Sequence, residues 1–357
     1  MQTLREVRLD HVEFYVGDIE AFAREFVTNY GFQIAGKTSA DTGGHRSLAL
    51  RQGGIVILLT EGLDHDSPVS AWVRAHGDGV ANIWLRTPAV HDVLAEAMAN
   101  GATVTLAPRE RAGVVTAGIG AFGDIQHGLV ERPDDADSGQ LPPGIVPVET
   151  AGAESPVKFG VLDHFAYLVN AGDLGSAVKF YESVLDFSVI FQERTLVDGQ
   201  GMDSKVVQNA AGDVTFTIVE SAAAPGQALD FIAAFVRDHG GPGVQHVAFG
   251  CDDIVTTVQD LRDQGVDFLD TPGTYYDMLP ERLGDVRHNL DQLRGLSILA
   301  DKDHAGELFQ IFTRSTHPRK TFFVEVIERF GAETFGKGNV KALFEAKKAE
   351  RDQLECQ

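Results

Sequence analysis

The chain has 357 residues, 43% hydrophobic and 23% charged, which is enough for two domains that each bury a core of their own. Its net charge of −22 argues against a nucleic-acid partner, because phosphate binding needs clustered Lys and Arg. No apolar run reaches the roughly 20 residues that cross a bilayer, and the N-terminus MQTLREVRLD lacks the apolar stretch of a signal peptide. With only Cys251 and Cys356 for thiols, a cytoplasmic location is expected.

In chain order, LDHVEFYVGDIEAFAREFVTNYGFQIAG from Leu9 reads as strand, turn, amphipathic helix and strand. GDGVANIWLRTPAVHDVLAEAMANGATVT from Gly77 reads as a strand and a helix closed by an Asn-Gly stop. HGLVER, His127 to Arg132, is a further strand. Residues 133–158, rich in Pro, Gly and acidic side chains, read as a linker. The pattern then repeats. LDHFAYLVNAGDLGSAVKFYESVLDFSVIF begins at Leu162, with Leu174, Ala177, Val178, Tyr181, Val184 and Leu185 at helical spacing. GPGVQHVAFGCDDIVTTVQDLRDQGVDFL begins at Gly241, and VEVIER spans Val324 to Arg329. Three matches in one order indicate an internal duplication, with domains at 1–132 and 159–357. The expected fold class is α+β: two tandem domains, each of paired βαβββ units whose strands curl into an open half-barrel with a concave face.

His164, His246 and Glu325 each sit in an apolar, strand-like run of the second half. A lone His there is ordinarily a hydrogen-bonded core residue, but a carboxylate between Val324 and Val326 needs a partner or a metal. Laying the halves over each other puts His11 on His164, Asn82 on His246 and Gly128 on Glu325. The three candidates therefore occupy equivalent inward positions, and the first half has lost two of them. Two imidazoles and one carboxylate can hold one face of Fe(II), leaving the other face for substrate and O2. Zn(II) and Mn(II) fit the same ligand types. His239, His288, His304 and His317 read as surface or turn residues, and Glu328 with Arg329 as a surface pair at a strand end.

The stretches LDHFAYLV, GVQHVAF, LFQIFT, FFVEVIER and FGKGNVKALFEA resemble the family of 4-hydroxyphenylpyruvate dioxygenases and their sister 4-hydroxymandelate synthases, over essentially the whole chain. The resemblance implies the vicinal oxygen chelate fold, with Fe(II) on His164, His246 and Glu325. The implied substrates are O2 and 4-hydroxyphenylpyruvate, whose own α-keto acid chelates the iron, and the family relation implies a homodimer. No separate acid or base residue is assigned. Both sisters release CO2. The dioxygenase then oxidises the ring to homogentisate in tyrosine breakdown, whereas the synthase hydroxylates the benzylic carbon to (S)-4-hydroxymandelate, a precursor of 4-hydroxyphenylglycine in peptide antibiotics.

By the same resemblance, Ser204, Gln245 and Gln310 supply hydrogen bonds to the substrate, and Phe312, Phe323 and Phe335 wall its ring. A helix from Asn339 to about Leu354 closes the cavity. Where dioxygenases carry Pro-x-Asn, this chain has Thr217 and Val219; where they read Gly-Asn-Phe, it reads Gly338-Asn339-Val340. These departures resemble the synthase, which is the activity expected. Plainer readings stand beside them. Val340, Leu343 and Phe344 have the spacing of a helix core, Thr217 and Val219 are good strand formers, and strict alternation turns Gln245 away from His246. A metal-free binding protein on the same scaffold is the reading from a different class, and the intact ligand set argues against it.

Overall fold

The computed structural model describes residues 6–39, 44–133, 141–149, 155–197, 200–223, 231–336, 338–339 and 342–343. The first repeat folds as β1 (Arg8–Tyr15), α1 (Ile19–Thr28), β2 (Gln33–Thr38), β3 (His45–Gln52) and β4 (Ile55–Gly62). Helix α2 (Pro68–His76) leads to the second, β5 (Gly79–Arg86), α3 (Val90–Ala99), β6 (Val104–Arg111), β7 (Val114–Gly120) and β8 (Gln126–Glu131). The segment read as a linker contributes a strand of its own, β9 (Ile145–Pro147), which pairs with β2 and covers that edge. The resulting nine-stranded sheet has the order β6-β7-β8-β5-β1-β4-β3-β2-β9.

The second half repeats the plan with β10 (Val161–Leu168), α4 (Leu174–Leu185), β11 (Ser188–Val197), β12 (Gln200–Gln208) and β13 (Thr215–Ser221). After α5 (Phe231–His239) come β14 (Gly243–Gly250) and α6 (Ile254–Asp263). Two inserted helices follow, α7 (Gly273–Leu283) and α8 (Leu290–Leu296). Strands β15 (Leu299–Lys302), β16 (Glu307–Phe312) and β17 (Phe323–Phe330) complete the eight-stranded sheet β11-β12-β13-β10-β14-β17-β16-β15. The fold is thus the expected α+β pair of curled sheets.

Local signals explain the element ends. All six apolar positions noted in α4 are buried. Helices α3 and α6 stop at Asn100 and Gln264, each followed by a glycine in the left-handed region, Gly101 at φ +97° and Gly265 at φ +92°. The Asp18 side chain caps α1 by accepting from the Glu20 and Ala21 amides. One apolar cluster runs through both halves, joined by contacts such as Phe14 on Phe322 and Phe32 on Phe249. Among the described residues no helix is long and apolar enough to cross a membrane.

Several assignments made from local sequence need correction. His239 ends helix α5 and is buried against His76, with ring centroids 4.7 Å apart. His317 is buried on Phe22. Half-buried His288 bonds through Nε2 to Glu328 at 2.6 Å. Only His304 of the four is exposed. Glu328 does not pair with Arg329: it is buried and accepts the Ile254 amide at the start of α6, while Arg329 reaches Asp163. In each case the partner comes from an element distant in sequence.

Candidate metal centre

The three candidates stand on adjacent strands at the middle of the second sheet, β10, β14 and β17. Ala248 on β14 pairs with His164 on one side and with Glu325 on the other, and His246 lies two residues back on the same face. A methyl group at position 248 leaves the space between the ligands open. His164 Nε2 and His246 Nε2 approach Glu325 Oε2 at 3.3 and 3.2 Å, and one ligand atom from each residue falls within 4.8 Å of the others. Cis ligands on an ion at about 2.1 Å lie about 3.0 Å apart, so small shifts would seat Fe(II) on this face. The donor set and its spacing fit the metal.

The electrostatics agree. Burial opposes a charged imidazole at His164, yet the carboxylates of Glu325 and Asp163 raise its pKa to about 9. Burial also works against Glu325, but His164 and His246 bring it down to about 2. Burial lowers His246. The triad is therefore a buried anion balanced by a proton, and a divalent cation would displace that proton. His164 Nδ1 donates to Asp163 Oδ1 at 2.7 Å, which turns Nε2 toward the site. Asp163 is gripped in turn by Arg329 at 2.7 and 2.8 Å. Sequence reasoning missed both of these residues. The available signal was the repetition of Asp-His and Glu-Arg in the two halves, Asp10-His11 with Glu131-Arg132 and Asp163-His164 with Glu328-Arg329.

The pairing register brings most of the expected pocket residues onto one concave face. Thr217 pairs with Ala166, which pairs with His246, and Phe323 pairs with His246 from the other side. Val219 pairs with Ser204, two residues further along. Phe312 lies opposite Glu325, and Gln310 lies opposite Ile327. The Phe323 ring stacks on His246 at 4.9 Å, Phe312 meets it at 5.6 Å, and Phe335 meets His164 edge-on at 5.1 Å. Gln245 sits at a β-bulge between the Ala166–His246 and Tyr167–Val244 pairs, which lifts the strict alternation that would turn it away. Asn339 Oδ1 accepts from Tyr275 at 2.7 Å and from Arg282 at 3.2 Å. Thr217 Oγ1, His246 Nδ1, Gln310 Oε1 and Asn339 Nδ2 are buried with no hydrogen-bond partner among the described residues. Val340 and nearly all of the closing helix lie outside the described residues.

The first half carries different residues at the matching positions. The registers His11 with Trp84, Glu13 with Asn82 and Trp84 with Gly128 reproduce those of His164, Ala166, His246, Ala248 and Glu325. Trp84 thus stands where Ala248 does, and its indole stacks on His11 at 5.3 Å. A Cβ on Gly128 would come within 2.2 Å of that indole. The Glu13 carboxylate is held by Thr60, Asn82 and Trp84 at 2.6, 2.9 and 3.0 Å. Trp84 fills the space that Ala248 leaves open in the second half, and three hydrogen bonds satisfy the Glu13 carboxylate.

Known proteins share this architecture. Residues 161–279 match the Glyoxalase/Bleomycin resistance protein/Dioxygenase superfamily. The 4-hydroxyphenylpyruvate dioxygenase of Caenorhabditis elegans is 33% identical over 95% of this chain and 91% of its own length. That of Dictyostelium discoideum is 31% identical over 94% and 96%. A triply substituted 4-hydroxymandelate synthase from Streptomyces coelicolor superposes with a TM-score of 0.85 at 38% identity, over 97% of this chain and 99% of that one. The chain therefore belongs to the family of 4-hydroxyphenylpyruvate dioxygenases and 4-hydroxymandelate synthases, within the vicinal oxygen chelate superfamily.

Proposed function

We propose that this chain is an Fe(II)-dependent 4-hydroxymandelate synthase that converts 4-hydroxyphenylpyruvate and O2 to (S)-4-hydroxymandelate and CO2. Residues 159–357 form the catalytic unit in this reading, and residues 1–132 serve as scaffold. The observation that carries it is the presence of Thr217 and Val219 on the concave face that His246 shares, where the dioxygenase pattern has Pro and Asn. The 38% identity to a synthase over nearly the whole chain also supports it. Iron held by His164, His246 and Glu325 would supply the O2-dependent redox chemistry. Phe312, Phe323 and Phe335 clamp the substrate ring and keep water out, while Ser204, Gln310 and Thr217 offer it a few polar contacts. Ångström-scale placement of the ring decides which carbon lies nearest the metal, and short side chains at 217 and 219 let it tilt its benzylic carbon forward.

The test is incubation of Fe(II)-loaded protein with 4-hydroxyphenylpyruvate and O2, with the aromatic product identified by chromatography. The expected product is 4-hydroxymandelate. Homogentisate as the main product would overturn the synthase and leave a dioxygenase on the same iron site. Absence of both metal uptake and O2 consumption would favour a metal-free binding protein.

A further inference from the structure

We propose that Arg329 is a positioning residue that joins the His164 ligand and the Phe335 ring into one unit, so that retention of the metal depends on it. The proposal rests on the metal reading above. Arg329 directs its donors two ways. Nε and Nη2 reach Asp163 Oδ2 and Oδ1 at 2.7 and 2.8 Å, and Asp163 Oδ1 accepts from His164 Nδ1 at 2.7 Å. Nη1 donates to the carbonyls of Thr334 and Ala332 at 2.6 and 3.2 Å, which fixes the turn that carries Phe335. The guanidinium carbon lies 4.7 Å from the Phe335 centroid, and that ring meets His164 edge-on. Imidazole, carboxylate, guanidinium and benzene ring close a circuit.

The duplicated half separates what this clasp does for the fold from what it does for the metal. Arg132 grips Asp10 at 2.9 and 2.7 Å, and Asp10 holds His11 Nδ1 at 2.6 Å. Yet Arg132 Nη1 reaches Leu141, and the ring on His11 is Trp84 of the same sheet. The clasp is therefore a feature of both domains. Among the described residues, the second half extends it to a ring from the C-terminal segment, Phe335, which covers His164. Phe335 also lines a cleft of about 400 Å³ with Asp163, Gln208, Thr215 and Arg329, so the ring stands between that cleft and His164. Without Arg329, the half-buried Asp163 carboxylate loses its main cation and its fixed position against His164, and Phe335 is freed to uncover that imidazole.

The test compares wild type, Arg329→Gln and Arg132→Gln by Co(II) titration, the visible Co(II) spectrum, release of Co(II) to a chelator, and thermal unfolding. Arg329→Gln should bind Co(II) about 10- to 100-fold more weakly, with an altered spectrum and faster release. Arg132→Gln should lower the melting temperature and leave affinity and spectrum unchanged. Arg329→Lys, which keeps the charge but not the two-point grip, should recover more thermal stability than affinity. Wild-type affinity, spectrum and release rate in Arg329→Gln would overturn the proposal, as would an equal loss in Arg132→Gln. If Arg329→Gln does not fold, Phe335→Leu replaces it: faster Co(II) release is expected, and an unchanged rate overturns the coupling. A wild-type protein that takes up no Co(II) would instead sink the metal reading itself.

Discussion

At the scale of single residues, the open candidate site of the second half differs from the filled core of the first at positions 248 and 84 as well as at the ligand positions themselves. Ala248 and Trp84 hold the same register place in their sheets, between the strand of the first histidine and the strand of the third ligand position. Ala248→Leu should therefore keep the fold at a cost of about 1–3 kcal/mol for overpacking, while sharply weakening metal uptake. Calorimetric unfolding and a Co(II) titration check the two halves of that statement. Trp84→Ala, by contrast, should cost about 3–5 kcal/mol in urea unfolding through the cavity it leaves, with no metal site gained, because position 128 is glycine. His164, His246 and Glu325 were legible from sequence because each is a polar residue in a run that must be buried. Ala248 was not legible. An alanine in an apolar strand has no signature until its neighbours across the sheet are known.

At the scale of elements, β17 carries three functions on one strand. Glu325 faces the concave side, Glu328 faces the helices and accepts the Ile254 amide at 3.1 Å, and Arg329 reaches past the end of β14 to Asp163. The first half repeats the helix cap, with Glu131 accepting the Val90 amide at 2.8 Å. Glu328→Ala removes a cap and the partner of His288, so it should cost about 1–2 kcal/mol and lower the melting temperature. Co(II) affinity should stay at the wild-type value, since Glu328 faces away from the His164, His246 and Glu325 cluster; a parallel loss of affinity would contradict this division of faces. The helices and their Asn-Gly and Gln-Gly stops were readable from local spacing. The apparent Glu328–Arg329 surface pair was misread because neighbours in a strand point to opposite faces and find their partners separately.

At the scale of the whole molecule, the halves meet through buried aromatic and imidazole groups. His127 of β8 lies 3.2 Å from the Tyr181 hydroxyl of α4, and His76 of α2 stacks on His239 of α5. Burial brings both His127 and His239 down to about 4 from the ordinary 6.5. Between those values the unfolded chain binds more protons than the folded one. The stability these groups contribute is therefore complete above about pH 6.5 and lost as pH falls toward 4, at about 1.4 kcal/mol per pH unit for each. Urea unfolding at pH 7, 5.5 and 4.5 should show that slope, and His127→Gln should reduce it; an unchanged slope would mean that His127 titrates normally. By itself the sequence determined the duplication, the strand and helix periods, and the grouping of His164, His246 and Glu325, because these are written in local alternation and in the match of one half to the other. Only the tertiary structure decided that β14 lies between β10 and β17, that Ala248 leaves room where Trp84 does not, and that Asp163 and Arg329 lock together. Those facts depend on which strands become neighbours and in what register, and no local pattern along the chain encodes that.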